Sequence, residues 1–244
     1  MPPSPRPNVG AAQAPSASTR APVDNAVPQR VPGKFEPPKV RKILSPDGGG
    51  VRGLSIIMIL KYIMKNLNRQ RGTALHPWQE FDMIGGTSTG GIIAIMLGRL
   101  RMSLDECEEA YKTLSKKIFS ATAHGNANPR RMYDFLKANG KFDERPLEES
   151  IRDTLWGRNL AENELLQERD SEACKVFVCA TRAENSAPAV LRSYESNKND
   201  PFYEICQIWE AVRATSAAST FFEPIRIGPN EETFVEGTSI EFSS

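Results

Sequence analysis

From Lys39 onward the apolar and polar positions fall into short apolar runs that alternate with helical repeats. Val40, Ile43 and Leu44 form one such run, which ends in Asp47-Gly48-Gly49-Gly50 and passes into the apolar-periodic stretch Leu54 to Leu67. That pattern predicts strand, glycine turn, helix. A second unit repeats it, with Phe81 to Ile84 as the strand, Gly85 to Gly91 as the turn and Ile92 to Leu100 as the helix. Ser103 to Phe119 opens on a Ser-x-x-Glu capping box, Ser103 to Glu106, and sets Leu104, Cys107, Tyr111 and Leu114 on one face, as a surface helix would. A loop is expected at Asn126 to Pro129, and a helix over Glu144 to Trp156, where Leu147, Ile151 and Leu155 recur four apart. Lys175 to Ala180 (KVFVCA) is a β-branched strand with Val190 to Tyr194 as its partner, and Phe202 to Thr215 returns to helical spacing. Strands alternating with helices predict an α/β fold with a mostly parallel central sheet and helices on both faces. Ligands in such folds bind at the carboxyl ends of the strands, where both glycine turns fall.

Composition sets the boundaries of this reading. Ten of the 18 prolines lie in residues 1–38, which lack either periodicity and are expected to be a disordered tail ahead of one domain over 39–244. Lys plus Arg number 31 against 30 Asp plus Glu, with no basic cluster, so nucleic acid is not an expected partner. The four cysteines lack C-x-x-C spacing and only two histidines are present, which argues against a zinc site or a disulfide framework. The cysteines read as reduced, buried thiols. No signal peptide is evident, and the longest apolar stretch, Ile56 to Leu60, is too short to span a bilayer. The expectation is a soluble, cytoplasmic protein without a transmembrane segment.

Gly86-Thr87-Ser88-Thr89-Gly90 is a G-x-S-x-G sequence set between a strand and a helix. Such a turn holds its serine in strained geometry with the hydroxyl projecting, and glycine two residues to either side avoids a clash. Asp47-Gly48-Gly49-Gly50-Val51-Arg52-Gly53 adds what acyl transfer also needs, a backbone that can approach the substrate and present N–H donors to an oxyanion. Gly49 and Gly50 are the first candidates. The rival reading of Gly48-x-Gly50-x-x-Gly53 as a dinucleotide fingerprint requires an acidic residue about 20 positions on, and none occurs between Leu54 and Gln79. A phosphate-binding Walker loop fails because neither Gly33-Lys34 nor Gly140-Lys141 is followed by Ser or Thr. His76 precedes the nucleophile strand and His124 lies in a polar loop, so neither takes the place of a triad histidine, which leaves a carboxylate as the base.

Three segments, DGGGVRG from Asp47, FDMIGGTSTGGIIA from Phe81 and ATSAASTFFEP from Ala214, resemble the patatin-like phospholipase family. The resemblance implies a patatin-like fold, a Ser-Asp dyad with neither metal nor cofactor, and hydrolysis of acyl esters of phospholipids or neutral glycerolipids at a membrane or lipid-droplet surface. Ser88 then maps to the nucleophile and Gly48, Gly49 and Gly50 to the oxyanion hole. Asp47 and Arg52 would brace that loop, with Gly53, Gly86 and Gly90 completing the motifs. The family's dyad aspartate falls in an Asp-Gly motif, and here Phe234-Val235-Glu236-Gly237 places Glu236 at that point. Asp82 is the alternative carboxylate. The chain runs eight residues past Glu236, and the expectation is a domain truncated at its C-terminus and a weak hydrolase. The second reading is a catalytically impaired patatin-like module, or a fragment of a larger signalling protein.

Overall fold

The computed structural model describes residues 40–121, 143–196, 200–218 and 222–237. The tail expected over 1–38, the loop at Asn126 to Pro129, and His124 lie outside them.

Among the described residues six strands form one mixed sheet. β1 (Ile43–Leu44), β2 (Met83–Thr87) and β3 (Lys175–Arg182) run parallel, and β4 (Pro188–Arg192) and β6 (Glu232–Glu236) pair antiparallel with β3. β5 (Ile225–Ile227) is antiparallel to β6 and so shares the direction of β1 to β3. Four strands of the six therefore point one way, as a mostly parallel sheet requires. Along β3, Val176, Val178 and Ala180 are buried, while Phe177 and Cys179 are half-buried, so one face of the sheet carries the tighter packing.

The helices follow the predicted pattern with instructive shifts. α1 (Gly53–Arg71) leaves the first glycine turn and ends at Gly72, whose left-handed φ of 66° stops it. α2 (Pro77–Glu80) is a single turn opened by Pro77, and the Phe81 N–H still donates to the Pro77 carbonyl at 2.9 Å. Phe81 therefore closes a helix instead of opening β2. Gly85 and Gly86, read from sequence as turn, are strand: they pair with Phe177 and Val178. A Cβ at Gly85 would run into the Phe177 ring, which lies across the strand there.

α3 (Thr89–Ala94) passes into a π-helical turn over Ile95–Arg99 and is buried on all sides, as a helix apolar all round must be. The wide turn places Arg99 where its guanidinium donates to the carbonyls of Leu165, Leu166 and Gln167 at 2.9–3.1 Å. α4 (Leu104–Ala121) starts on the expected capping box, Ser103 N–H to Glu106 at 2.7 Å and Glu106 N–H to Ser103 at 3.2 Å. Its Cys107, Tyr111 and Leu114 are buried. α5 (Arg145–Trp156) buries Leu147, Ile151 and Leu155. α6 (Ile208–Ser216) begins later than the periodicity suggested, because the backbone before it is paired: Leu166 N–H donates to Cys206 O and Ile208 N–H to Glu164 O, both at 2.9 Å. Phe202, ahead of that segment, packs edge-on against Phe234 of β6 at 5.2 Å.

Of the four free cysteines Cys107, Cys174 and Cys206 are buried, and burial pushes the Cys107 and Cys174 thiols up to about 12. Cys179 is only half-buried, a departure from the expectation of four buried thiols.

Candidate active site

β2 ends at Thr87 and α3 begins at Thr89, so Ser88 alone makes the turn between them. It does so at φ 56° and ψ −129°, a region that non-glycine residues occupy only where surrounding structure imposes it. The Ile92 N–H donates to the Ser88 carbonyl at 3.0 Å, fixing the first turn of α3 behind the serine. Gly86 and Gly90 are small for a definite reason. A Cβ at Gly86 would meet the Pro46 oxygen at 2.5 Å and the Gly90 backbone at 2.7 Å, and one at Gly90 would meet the Pro46 carbonyl carbon at 2.6 Å. The first glycine loop thus lies directly over the second.

That overlap brings the two motifs together. A Cβ at Gly48 would stand 2.9 Å from the Ser88 Cβ and 3.6 Å from its Oγ. Gly50 has open space on its Cβ side and is required instead by its φ of 54°. The loop is anchored through carbonyls: Gly49 O accepts from Arg52 N–H at 3.1 Å, and Gly50 O accepts from the Tyr111 hydroxyl at 2.5 Å and the Thr89 hydroxyl at 3.2 Å. In a planar trans peptide the following N–H points opposite to the carbonyl, so the N–H groups of Gly50 and Val51 face away from these anchors. Gly53 is packed against both Thr89 and the Tyr111 ring. The side chains of Asp47 and Arg52 are exposed and make no hydrogen bond or ion pair among the described residues. The loop is braced by the Tyr111 and Thr89 hydroxyls and by the Arg52 backbone N–H, not by the Asp47 or Arg52 side chain. Sequence reasoning assigned Tyr111 to a core face and missed this role, because nothing within the chain's local pattern links positions 50 and 111.

Glu236 reaches the same place by sheet register. β2 pairs with Lys175 to Cys179 of β3, and β6 takes over that edge at Ala180 to Arg182. Thr87 thus pairs with Cys179, and Glu236 with Ala180, the next residue along. β2 and β6 arrive from opposite directions, so Ser88 and Gly237 leave the sheet next to one another. A Cβ on Gly237 would touch Cys179 at 3.4 Å. The Glu236 N–H donates to Ala217 O at 2.8 Å, while its half-buried carboxylate makes no hydrogen bond among the described residues.

Asp82 lies at the other end. It precedes β2, accepts from Arg41 at 3.1 Å and from the Lys42 N–H at 2.8 Å, and is separated from Ser88 by the strand's length, roughly 3.3 Å per residue. It cannot act as the base from there. His76 caps α2 and stacks on Trp78 at 5.7 Å, away from Ser88 in the same sense. Among the described residues no three His, Cys, Asp or Glu side chains converge as metal ligands, and no helix is long and apolar enough to cross a membrane.

A family model described as patatin-like phospholipase matches residues 44–240. Human calcium-independent phospholipase A2-gamma is 32% identical over 206 residues, covering 80% of this chain and 24% of that protein. Phospholipase A I of Arabidopsis thaliana is 28% identical over 251 residues, covering 81% of this chain and 18% of that protein. The chain therefore spans less than a quarter of the length of either relative. The crystal structure of VipD from Legionella pneumophila aligns over 81% of this chain and 46% of that one, at 13% identity and a TM-score of 0.42. Since the matched region takes in both glycine turns, Ser88 and Glu236, the chain belongs to the patatin-like phospholipase family.

Proposed function

We propose that this chain is a serine acyl hydrolase that cleaves acyl esters of phospholipids or neutral glycerolipids through Ser88 and a carboxylate, Glu236. The observation that carries the reading is the seating of the Gly48 to Gly50 loop directly on Ser88, itself held at positive φ. In the first step Ser88 Oγ bonds to the ester carbonyl carbon as its proton passes to Glu236. The negative charge on the tetrahedral oxygen is met by backbone N–H groups of the loop over Gly48, Gly49 and Gly50, a preorganised contact of the kind whose loss raises a barrier by about 2.7–4 kcal/mol. Collapse breaks the bond to the leaving alcohol, which takes the proton back, and water then repeats the sequence on the acyl-enzyme. No step calls on a metal or a cofactor.

Lipid as substrate is supported by family membership and by the two relatives, both named phospholipases. Action at a membrane or lipid-droplet surface is supported by the exposed apolar residues Met58, Ile59, Tyr62 and Ile63 on α1, the helix that leaves the glycine loop. Ser88→Ala removes the attacking atom and almost no volume, so it should abolish hydrolysis of a short-chain nitrophenyl ester and labelling by a fluorophosphonate with the fold intact. Turnover by the folded variant at the parent rate would refute the assignment.

A further inference from the structure

The segment Ala214 to Ala218 closes α6 beneath the two groups just described, and its polar atoms touch both. Thr215 is fully buried. Its Oγ1 accepts the Ser88 N–H at 2.9 Å, and its hydroxyl proton is donated to the Cys179 carbonyl at 2.8 Å. A hydroxyl has one proton and two lone pairs, so both bonds are made at once. Two residues later the Ala217 carbonyl accepts the Glu236 N–H at 2.8 Å. Cys179 is the β3 partner of Thr87, and its neighbour Ala180 is the partner of Glu236. One short stretch of chain thus holds the turn itself, the strand partner of the residue before it, and the residue carrying the carboxylate.

The arrangement is built for closeness. A Cβ at Gly91 would stand 2.8 Å from Thr215 Oγ1 and 2.9 Å from its Cγ2, so glycine there is what lets α6 approach the elbow. The Ser88 N–H, turned inward by the positive φ, has no other acceptor among the described residues. A buried N–H requires one.

We propose that Thr215 is a positioning residue for the nucleophile, and that the last turn of α6 is the common template setting Ser88 and Glu236 at their mutual distance. This rests on the reading of Ser88 as nucleophile. Loss of the Thr215 hydroxyl would let the serine move relative to the oxyanion loop and the carboxylate while leaving the lipid-binding surface untouched. The defect should therefore fall on kcat and spare KM, and a serine at 215 should restore it.

The test compares the parent, Thr215→Val and Thr215→Ser on a short-chain nitrophenyl ester, with the rate of fluorophosphonate labelling and the thermal midpoint measured on each. The expected result for Thr215→Val is a folded protein whose kcat and labelling rate fall about ten- to a hundredfold, the range for a misplacement of about 1 Å, with KM unchanged. Thr215→Ser should recover most of both. A folded Thr215→Val with parental kcat, whatever its thermal midpoint, overturns the proposal and leaves a packing role. So does a Thr215→Ser variant as impaired as the valine. If Thr215→Val fails to fold, Thr215→Ala, with room for water at the site, carries the same expectation. A parent that neither turns over ester nor takes the label defeats the functional reading itself and this proposal with it.

Discussion

Glu236, the proposed base, is one methylene longer than the aspartate that the family resemblance implies at its place, and its backbone decides where the difference must be absorbed. The backbone of Glu236 is pinned on both sides, by its N–H to Ala217 O at 2.8 Å and by its pairing with Ala180. It cannot retreat to compensate for a side chain longer by about 1.5 Å. To act as the proposed base the side chain must instead fold to bring its carboxylate to Ser88, and a misplacement near 1 Å can lower a rate by about a hundredfold. Glu236→Asp should accordingly raise kcat on a nitrophenyl ester by about tenfold or more, and Glu236→Gln should reduce it to background. Equal turnover by all three proteins, each shown to be folded by circular dichroism, would remove Glu236 from the role of base.

At the scale of elements, one buried carboxylate joins three of them. Glu80 of α2 is 4% exposed and forms ion pairs with Arg71 at the end of α1 and with Lys42 ahead of β1, the latter at 3.1 Å. The Arg71 guanidinium first, and Lys42 after it, hold the Glu80 carboxyl below its ordinary value of 4.5, against the opposing effect of burial. The unfolded chain then binds the proton more tightly than the folded one. The stabilisation is present in full above the ordinary glutamate value and is lost as the pH falls through the depressed one. Glu80→Gln should lower stability at pH 7 by about 1–3 kcal/mol, and the gap from the parent in urea melts should close as the pH falls below 4.5. A gap that is constant with pH would mean the effect is packing. The sequence announced this region poorly, since Leu75-His76-Pro77-Trp78 looks like loop and α2 is only four residues long. The longer elements were legible because their burial repeats: Cys107, Tyr111 and Leu114 in α4, and Leu147, Ile151 and Leu155 in α5, lie where the periodicity put them. β5 and β6 were not, because strands of three and five residues around a turn at Gly228 carry too few alternations to stand out. At the candidate site, the strand-turn-helix around Ser88 and the adjoining glycine loop were legible from local spacing, while the contacts of Thr215, 127 positions from Ser88, and of Tyr111, 61 from Gly50, emerge only once the chain is folded.

For the whole molecule the remaining question is how the domain would meet the lipid substrate proposed for it. α1 buries Ile57, Leu60 and Met64 on one side, and yet Met58, Ile59, Tyr62 and Ile63 on the other are 39–71% exposed. Single exposed apolar residues are ordinary, but a contiguous stripe marks a surface of contact. At 1.5 Å per residue this stripe begins within about 8 Å of Gly53, where the glycine loop ends. Lys65 and Arg69, both exposed, continue the same helix beyond it and suit anionic headgroups. A tyrosine in such a stripe presents an apolar ring and a polar tip, which fits the boundary between acyl chains and water. Withdrawing two large apolar side chains from a bilayer forfeits about 1.5–3 kcal/mol each, enough for a tenfold or greater loss of affinity. The double variant Ile59→Glu with Tyr62→Glu should therefore lose at least about tenfold in co-sedimentation with phosphatidylglycerol-containing vesicles and in hydrolysis of vesicle phospholipid. Its turnover of a soluble nitrophenyl ester should stay within about twofold of the parent, because neither residue belongs to the catalytic turn. Undiminished vesicle binding would assign the stripe to another partner, and a change in mass by light scattering at the same time would identify that partner as a second copy of the chain.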